Sequence, residues 1–177
     1  MHHFYEQLHQ HLARHPIGFT QTPGRRELEI LRKLFTKEEA EIALNLTPSL
    51  QTVEALAAKA GIVKEEMAKI LAGMADKGVI FEDKRQGGLR YSLLPFMPGI
   101  YEFQVHHMDE ELAHAFEEIY PDLAREVGGS RTAWMRVLPS EPSLAGKKVI
   151  PYQQASRLIK QMPTIAITDC ICRKQQK

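Results

Sequence analysis

Residues 64–94 read KEEMAKILAGMADKGVIFEDKRQGGLRYSLL, and this stretch decides the fold. Its first half carries apolar residues at helical spacing, which predicts one amphipathic helix from Lys64 to Lys77 that ends at Gly78. Val79 to Phe81 then reads as a strand and Glu82 to Gly88 as a polar turn. Residues 89–94 read as the returning strand. The stretch therefore predicts a helix followed by a β-hairpin.

Capping residues mark further helices before this stretch. Residues 36–39 read Thr-Lys-Glu-Glu, a capping box in which the Thr36 hydroxyl accepts from the Glu39 amide and the Glu39 side chain reaches back. Thr52 caps the next helix, and Gly61 ends it. An earlier helix is predicted because five apolar residues recur at helical spacing, namely Leu28, Ile30, Leu31, Leu34 and Phe35.

These elements follow the order of a winged helix-turn-helix module, in which helices joined by a tight glycine-containing turn precede a hairpin. We therefore predict an α+β fold class: an N-terminal winged helix-turn-helix followed by a small α/β region. The core of the module is predicted to contain Leu31, Leu34, Leu56, Met67, Ile70, Leu71, Ile80 and Leu93.

Proline and glycine set the predicted boundaries, because they interrupt helical patterns. Residues 1–27 form an N-terminal arm with a short helix, residues 28–96 the winged-helix domain, and residues 97–177 an α/β region that ends in the start of a C-x-C-R motif. In this last region we predict a long helix from Asp109 to Val127, a helix from Tyr152 to Gln161, and strands over 134–138, 149–150 and 164–168.

The charge balance argues against strong DNA binding by the predicted module. Residues 28–96 contain ten acidic and ten basic residues, whereas DNA affinity depends heavily on neutralised phosphates. A DNA-binding regulator stays open as the alternative function. Its candidate DNA contacts are basic residues of the helix predicted from Lys64 to Lys77 and of the hairpin, namely Lys64, Lys69, Lys84, Arg85 and Arg90.

Composition and motifs exclude several classes of protein. The formal net charge is +1, and no apolar run reaches the roughly 18 residues that a membrane span needs. We expect a cytoplasmic chain with no membrane partner. The sequence contains no G-x-S-x-G, P-loop, G-x-G-x-x-G or H-E-x-x-H motif. We therefore do not expect an enzyme.

The two cysteines, Cys170 and Cys172, are the candidate metal ligands. A disulfide between residues two apart is strained, so the pair reads as free thiols or as ligands. If they end a strand, both thiols lie on one side. Arg173 directly after them is expected to lower the thiol pKa. Five histidines crowd the N-terminal arm, and we interpret them as solvated surface residues.

Several stretches resemble a family of ferredoxin-type (4Fe-4S) iron–sulfur proteins with an N-terminal winged-helix domain. They are LFTKEEAE (34–41), MADKGVI (74–80), LPFMPGIYEF (94–103), MRVLP (135–139), VIPY (149–152) and CICR (170–173). The resemblance covers nearly the whole chain, and the second-half pieces LPFMPGIYEF and CICR are its more specific parts. In that family further cysteines follow the C-x-C-R.

The resemblance implies an electron-transfer or redox-sensing function in which Cys170 and Cys172 ligate a 4Fe-4S cluster of the full-length protein. The present chain would be the N-terminal part and would bind no cluster alone. It also implies a redox protein partner, with the winged helix as a docking module. A homodimer is left open, and DNA is not the favoured partner.

Overall fold

The computed structural model describes residues 3–15, 19, 21–85, 87–129 and 152–176. It contains helices packed around one small antiparallel sheet, which confirms the α+β class. Through residue 93 the elements are α1 (His3–Leu12), α2 (Arg26–Leu34), α3 (Lys37–Ala43), β1 (Gln51–Thr52), α4 (Val53–Ala60), α5 (Lys64–Asp76), β2 (Ile80–Asp83) and β3 (Arg90–Leu93). They continue with α6 (Tyr101–Phe103), a 3-10 turn (Gln104–His106), α7 (Glu110–Gly129), α8 (Tyr152–Lys160) and α9 (Ile171–Gln175).

The predicted helix caps are present. The Thr36 hydroxyl oxygen accepts from the Glu39 amide at 3.2 Å, and the Glu39 carboxylate accepts from the Thr36 amide at 2.8 Å. Thr52 caps α4 by accepting from the Ala55 amide at 3.3 Å. Gly61 ends α4 with a positive φ of 68°. These ends were predictable because a cap uses residues that are adjacent in sequence.

The sheet has the strand order β1-β3-β2, and both pairs are antiparallel. The β2–β3 hairpin aligns Ile80 with Leu93 and Asp83 with Arg90. The sequence did not predict β1, which is only two residues long and pairs Gln51 with Tyr91. Such a short strand has no periodicity of its own and exists because β3 offers an edge with which to pair.

One hydrophobic core joins the arm, the sheet and α7. Leu8 and Leu12 of α1 are fully buried, as is nearly all of Phe19. The Phe19 ring stacks on Phe96 with a centroid distance of 3.7 Å, and Phe96 lies 5.8 Å from the Phe116 ring of α7. The N-terminal arm therefore packs into the same core as the residues that follow it.

Seven of the eight predicted core residues are buried, namely Leu31, Leu34, Leu56, Met67, Leu71, Ile80 and Leu93. The prediction for Ile70 was wrong, because its side chain is only partly buried. Ile70 is one residue from Leu71, and successive residues of a helix point about 100° apart, as 3.6 residues per turn requires. It therefore lies at the edge of the buried face.

The histidines of the arm are not all solvated, so that interpretation was wrong for His9. Its side chain is buried, and its Nε2 lies 2.8 Å from the Phe19 carbonyl oxygen. His11 Nε2 lies 2.8 Å from the Leu46 carbonyl oxygen. Both rings thus tie α1 to backbone that is distant in sequence. Sequence alone did not show these tertiary contacts.

The described residues after 97 form helices and irregular segments, and no strand. The helix predicted from Asp109 is present as α7, and the Asp109 carboxylate caps it by accepting from the Leu112 amide at 2.7 Å. The predicted strands 134–138 and 149–150 lie outside the described residues. The predicted strand 164–168 was wrong: these residues form no strand and are exposed. Within the described ranges they have no neighbouring strand with which to pair.

None of the helices in the described ranges is both long enough and apolar enough to cross a membrane.

Gly78 is a position where the fold requires glycine. Its φ is +70°, and a Cβ placed there would lie 2.8 Å from the Phe103 Cβ and 2.9 Å from the Phe103 carbonyl oxygen. Gly61 has a similar φ of +68°, but nothing lies within 4 Å of a Cβ placed there. The two glycines therefore share the backbone conformation and differ only in crowding.

We expect Gly78→Ala to destabilise the chain more than Gly61→Ala. Both variants place a side chain in the left-handed region, which costs about 1–2 kcal/mol. Gly78→Ala adds overpacking against the backbone of residue 103, typically about 1–3 kcal/mol. Urea denaturation followed by circular dichroism measures both free energies of unfolding. Equal losses in the two variants would contradict the close approach of residue 103.

Candidate functional site

The last described helix, α9, carries the two cysteines and is held against the core by three contacts. Ile171 is buried and belongs to the core cluster. The Tyr101 hydroxyl donates to the Gln175 side-chain oxygen, and the Lys174 ammonium donates to the Val105 carbonyl oxygen. These contacts join α9 to α6 and the 3-10 turn. They fix the place of the cysteines on the surface.

Cys170 and Cys172 are both exposed free thiols. Contrary to the expectation from the sequence, they do not end a strand. Cys170 is the residue before α9, and Cys172 lies in the first turn of α9. The two cysteines lie on either side of Ile171 in the chain. The structure therefore places both predicted ligands at the start of a helix rather than at the end of a strand.

The surroundings of Cys170 favour its thiolate. The backbone N–H of Arg173 lowers the pKa of this thiol below its usual value, and the Cys172 N–H and the Arg173 charge act in the same direction. Hydrogen bonds to the charged form of a thiol and a nearby cation both stabilise the thiolate. The expected effect of Arg173 is thus confirmed for Cys170. A thiolate is the form that binds metal.

Cys172 borders a cavity of about 200 Å³ that is lined by Tyr101, Glu117, Tyr120, Gln175 and Gln176. Burial raises the pKa of Tyr101 well above its usual value, and the neighbouring Cys172 raises it further. Tyr101 therefore stays a neutral hydroxyl beside the thiol. Sequence reasoning did not single out Tyr101, although it lies in the stretch LPFMPGIYEF on which the family resemblance rests.

The cysteine pair supplies two soft ligands. Within the described ranges, no group of three or more Cys, His, Asp or Glu side chains could hold a metal ion together. Iron–sulfur clusters are held by cysteine thiolates, usually four. Two exposed thiols beside Arg173 fit half of such a set.

The five candidate DNA contacts lie on α5 and the hairpin, and four of them form ion pairs. Lys64 pairs with Glu54 at 2.7 Å and Lys84 with Glu82 at 2.8 Å. Asp83 pairs with Arg85 at 3.0 Å and with Arg90 at 3.3 Å. Lys69 is exposed on α5.

The Lys64–Glu54 and Lys84–Glu82 pairs shift the pKa of both of their partners. The Lys64 ammonium lowers the pKa of Glu54 to about 2, and Glu54 in turn raises the pKa of Lys64. The N–H of Arg85 lowers the pKa of Asp83. At neutral pH the acids therefore stay charged beside the cations. A phosphate would have to compete with these carboxylates, which weakens the gain from counterion release.

A second, polar cavity of about 340 Å³ lies between α2, the end of α5 and the start of α7. Its charged groups are already paired, since Lys33 contacts Glu111 and Lys77 lies 2.6 Å from Glu39. The buried Gln104 amide donates to three backbone carbonyl oxygens. These contacts stabilise the fold, and both lysines that line the cavity already have carboxylate partners.

Comparisons with models of protein families, with curated proteins and with solved structures gave no match. The functional assignment therefore rests on the geometry of the chain itself and on the sequence resemblance.

Proposed function

We propose that residues 28–96 form a winged helix-turn-helix. The order α3, β1, α4, α5, β2, β3 supports this proposal, because the motif consists of two helices joined by a tight turn and followed by a hairpin. The turn between α4 and α5 contains Gly61 in a left-handed conformation. The third strand, β1, pairs with the returning strand of the hairpin.

We propose that the chain belongs to an iron–sulfur protein that transfers electrons or senses redox state. The observation that carries the proposal is the pair of exposed thiols at the start of a helix that is held against the core. Cys170 and Cys172 would be two of the ligands of a 4Fe-4S cluster, and cysteines from outside this chain would complete the ligand set. The cluster would supply one-electron chemistry.

The winged helix would serve this protein as a docking module for a redox partner. Ion pairing of Lys64, Lys84, Arg85 and Arg90 supports docking over DNA binding, because these cations already have carboxylate partners.

Iron content tests the cluster proposal. We expect this chain, purified in air, to be colourless and free of iron, because two thiolates do not complete a site. We expect the full-length gene product, reconstituted anaerobically with iron and sulfide, to show brown iron–sulfur absorbance. Cys170→Ser and Cys172→Ser should each lower the iron content, whereas Ser156→Ala on α8 serves as a matched control and should not.

A full-length protein without iron would contradict the cluster proposal, as would full iron content in both serine variants. In either case the DNA-binding alternative would become the better proposal.

DNA binding has its own test. At physiological salt we expect at most weak binding that falls further as salt rises, since few phosphates would be neutralised. A mobility-shift titration at two salt concentrations measures this, with Arg85→Ala and Arg90→Ala as variants and Lys59→Ala on α4 as the control. Nanomolar, sequence-selective binding that is lost only in the two arginine variants would overturn the docking proposal.

A further inference from the structure

We propose that residues 164–168 pair with the same residues of a second copy of this chain, antiparallel and about a two-fold axis at Ala166. The stretch reads Thr-Ile-Ala-Ile-Thr, which is the same sequence in both directions. It is exposed throughout and lies between Pro163 and α9. The proposal goes beyond the proposed function, because the pairing needs neither a cluster nor DNA.

The backbone of residues 164–168 is available for pairing. The stretch contains no turn or bend, and no hydrogen bond joins its backbone to the rest of the described chain. Unpaired N–H and C=O groups in an exposed row are a template for a strand of another chain. The stretch also carries none of the charged side chains that block such an edge in many proteins. Pairing would end at Pro163, which has no N–H to donate.

The palindrome selects a second copy as the partner. In the antiparallel register centred on Ala166, Ile165 lies opposite Ile167 of the second copy, and Thr164 lies opposite its Thr168. Every residue therefore meets one of its own type. Directly opposite β-branched side chains stabilise an antiparallel pair. An interface that uses the same surface on both copies is the self-complementary kind found in two-fold dimers, the commonest homo-oligomers.

The pairing would bring the exposed isoleucines together on one face. Side chains alternate along a strand, so Ile165 and Ile167 share one face, and the two threonines lie on the other face with Ala166. Ile165 is 54% exposed and Ile167 is 92% exposed in the single chain. Two copies would join four isoleucines into one apolar surface. A register shifted by one residue would place the isoleucines of the two copies on opposite faces.

The end of α8 continues this apolar surface along the chain. Leu158, Ile159 and Met162 are each about half exposed. With Ile165 and Ile167 they make up five of the ten large apolar side chains that are exposed in the described ranges. Exposed apolar side chains that are concentrated in this way mark an interaction site. One strand and one helix end give a small interface, so we expect a dimer that dissociates on dilution.

Sedimentation equilibrium of the 177-residue chain in reducing buffer measures the association. The average mass should rise from one chain toward two as the concentration increases. Ile165→Lys and Ile167→Lys should each weaken the dimer at least about tenfold, because each substitution occurs twice in a two-fold pair and sets a charge against an isoleucine. Leu89→Lys changes a half-exposed apolar residue of the hairpin and is the matched control, which should dimerise like the wild type.

Single cysteines test the register, in chains that also carry Cys170→Ser and Cys172→Ser. Ala166→Cys should form a disulfide-linked dimer on mild oxidation, because residue 166 lies opposite its own copy at the axis. Thr164→Cys alone should not crosslink, since its two copies lie four residues apart along the paired strands, about 13 Å. A mixture of Thr164→Cys with Thr168→Cys should crosslink, because these two positions lie opposite each other.

A wild type that stays a single chain at all concentrations, or that forms assemblies larger than two, would overturn the proposal. An equal loss of the dimer in Leu89→Lys and Ile167→Lys would do the same. Equal crosslinking of Ala166→Cys and of Thr164→Cys alone would overturn the register. None of these measurements depends on iron or DNA, so the proposed function can fail while the dimer stands, and the reverse.

Discussion

Phe96→Ala should lower the free energy of unfolding by about 3–5 kcal/mol, the range for removing a buried aromatic ring. Phe96 is fully buried and lies between two rings, stacked on Phe19 of the N-terminal arm and tilted against Phe116 of α7. Urea denaturation followed by circular dichroism measures the loss.

Phe103→Ala is the matched control for Phe96→Ala. The Phe103 side chain is 45% exposed, so its removal opens no closed cavity and should cost clearly less. A single transition is expected in both proteins, because the arm and α7 share one core with the sheet. A loss below about 1 kcal/mol for Phe96→Ala would contradict this shared core, since it would match an ordinary substitution.

Leu71→Ala should cost about 2–5 kcal/mol, as for other fully buried leucines. Leu71 is 0% exposed in the middle of α5, the helix on which the predicted fold depends. Its neighbour Ile70 has the same number of carbons but is only partly buried, so Ile70→Ala is the matched control. Both variants change helix propensity in the same direction.

The difference between Leu71→Ala and Ile70→Ala therefore reports burial. Denaturant midpoints of the two variants and of the wild type give the two losses. Equal losses would mean that α5 presents both side chains to the core to the same extent. That result would contradict the helix rotation described above.

Much of the fold could be predicted because its signals are local. The Thr36 capping box, the Thr52 cap and the glycine at residue 61 act through atoms a few residues apart. Helical spacing likewise located Leu71 and Met67 in the core. The apolar pattern of residues 164–168 predicted a strand in the same way, but a strand exists only where another strand pairs with it. No such partner lies in the described parts of the chain.

The candidate site was predictable in its residues but not in its geometry. The spacing of Cys170 and Cys172 identified the pair, and Arg173 predicted a lowered thiol pKa. The start of α9 in place of a strand end could not be predicted. It depends on Ile171 entering the core and on the Tyr101 hydroxyl, which is far away in sequence.

The sequence by itself determined the longer helices, the hairpin, the caps and the identity of the candidate residues, since all of these depend on neighbours along the chain. Only the tertiary structure decided that β1 exists, that His9 is buried and that the N-terminal arm shares the core through Phe19 and Phe96. It also decided that the basic side chains of the hairpin meet Asp83 and Glu82. These features depend on contacts between residues that lie far apart in sequence, or on which of several nearby residues a side chain contacts. The packing of the whole chain decides these contacts, because the burial of a side chain and its pairing with a partner depend on the folded structure and not on the local sequence pattern.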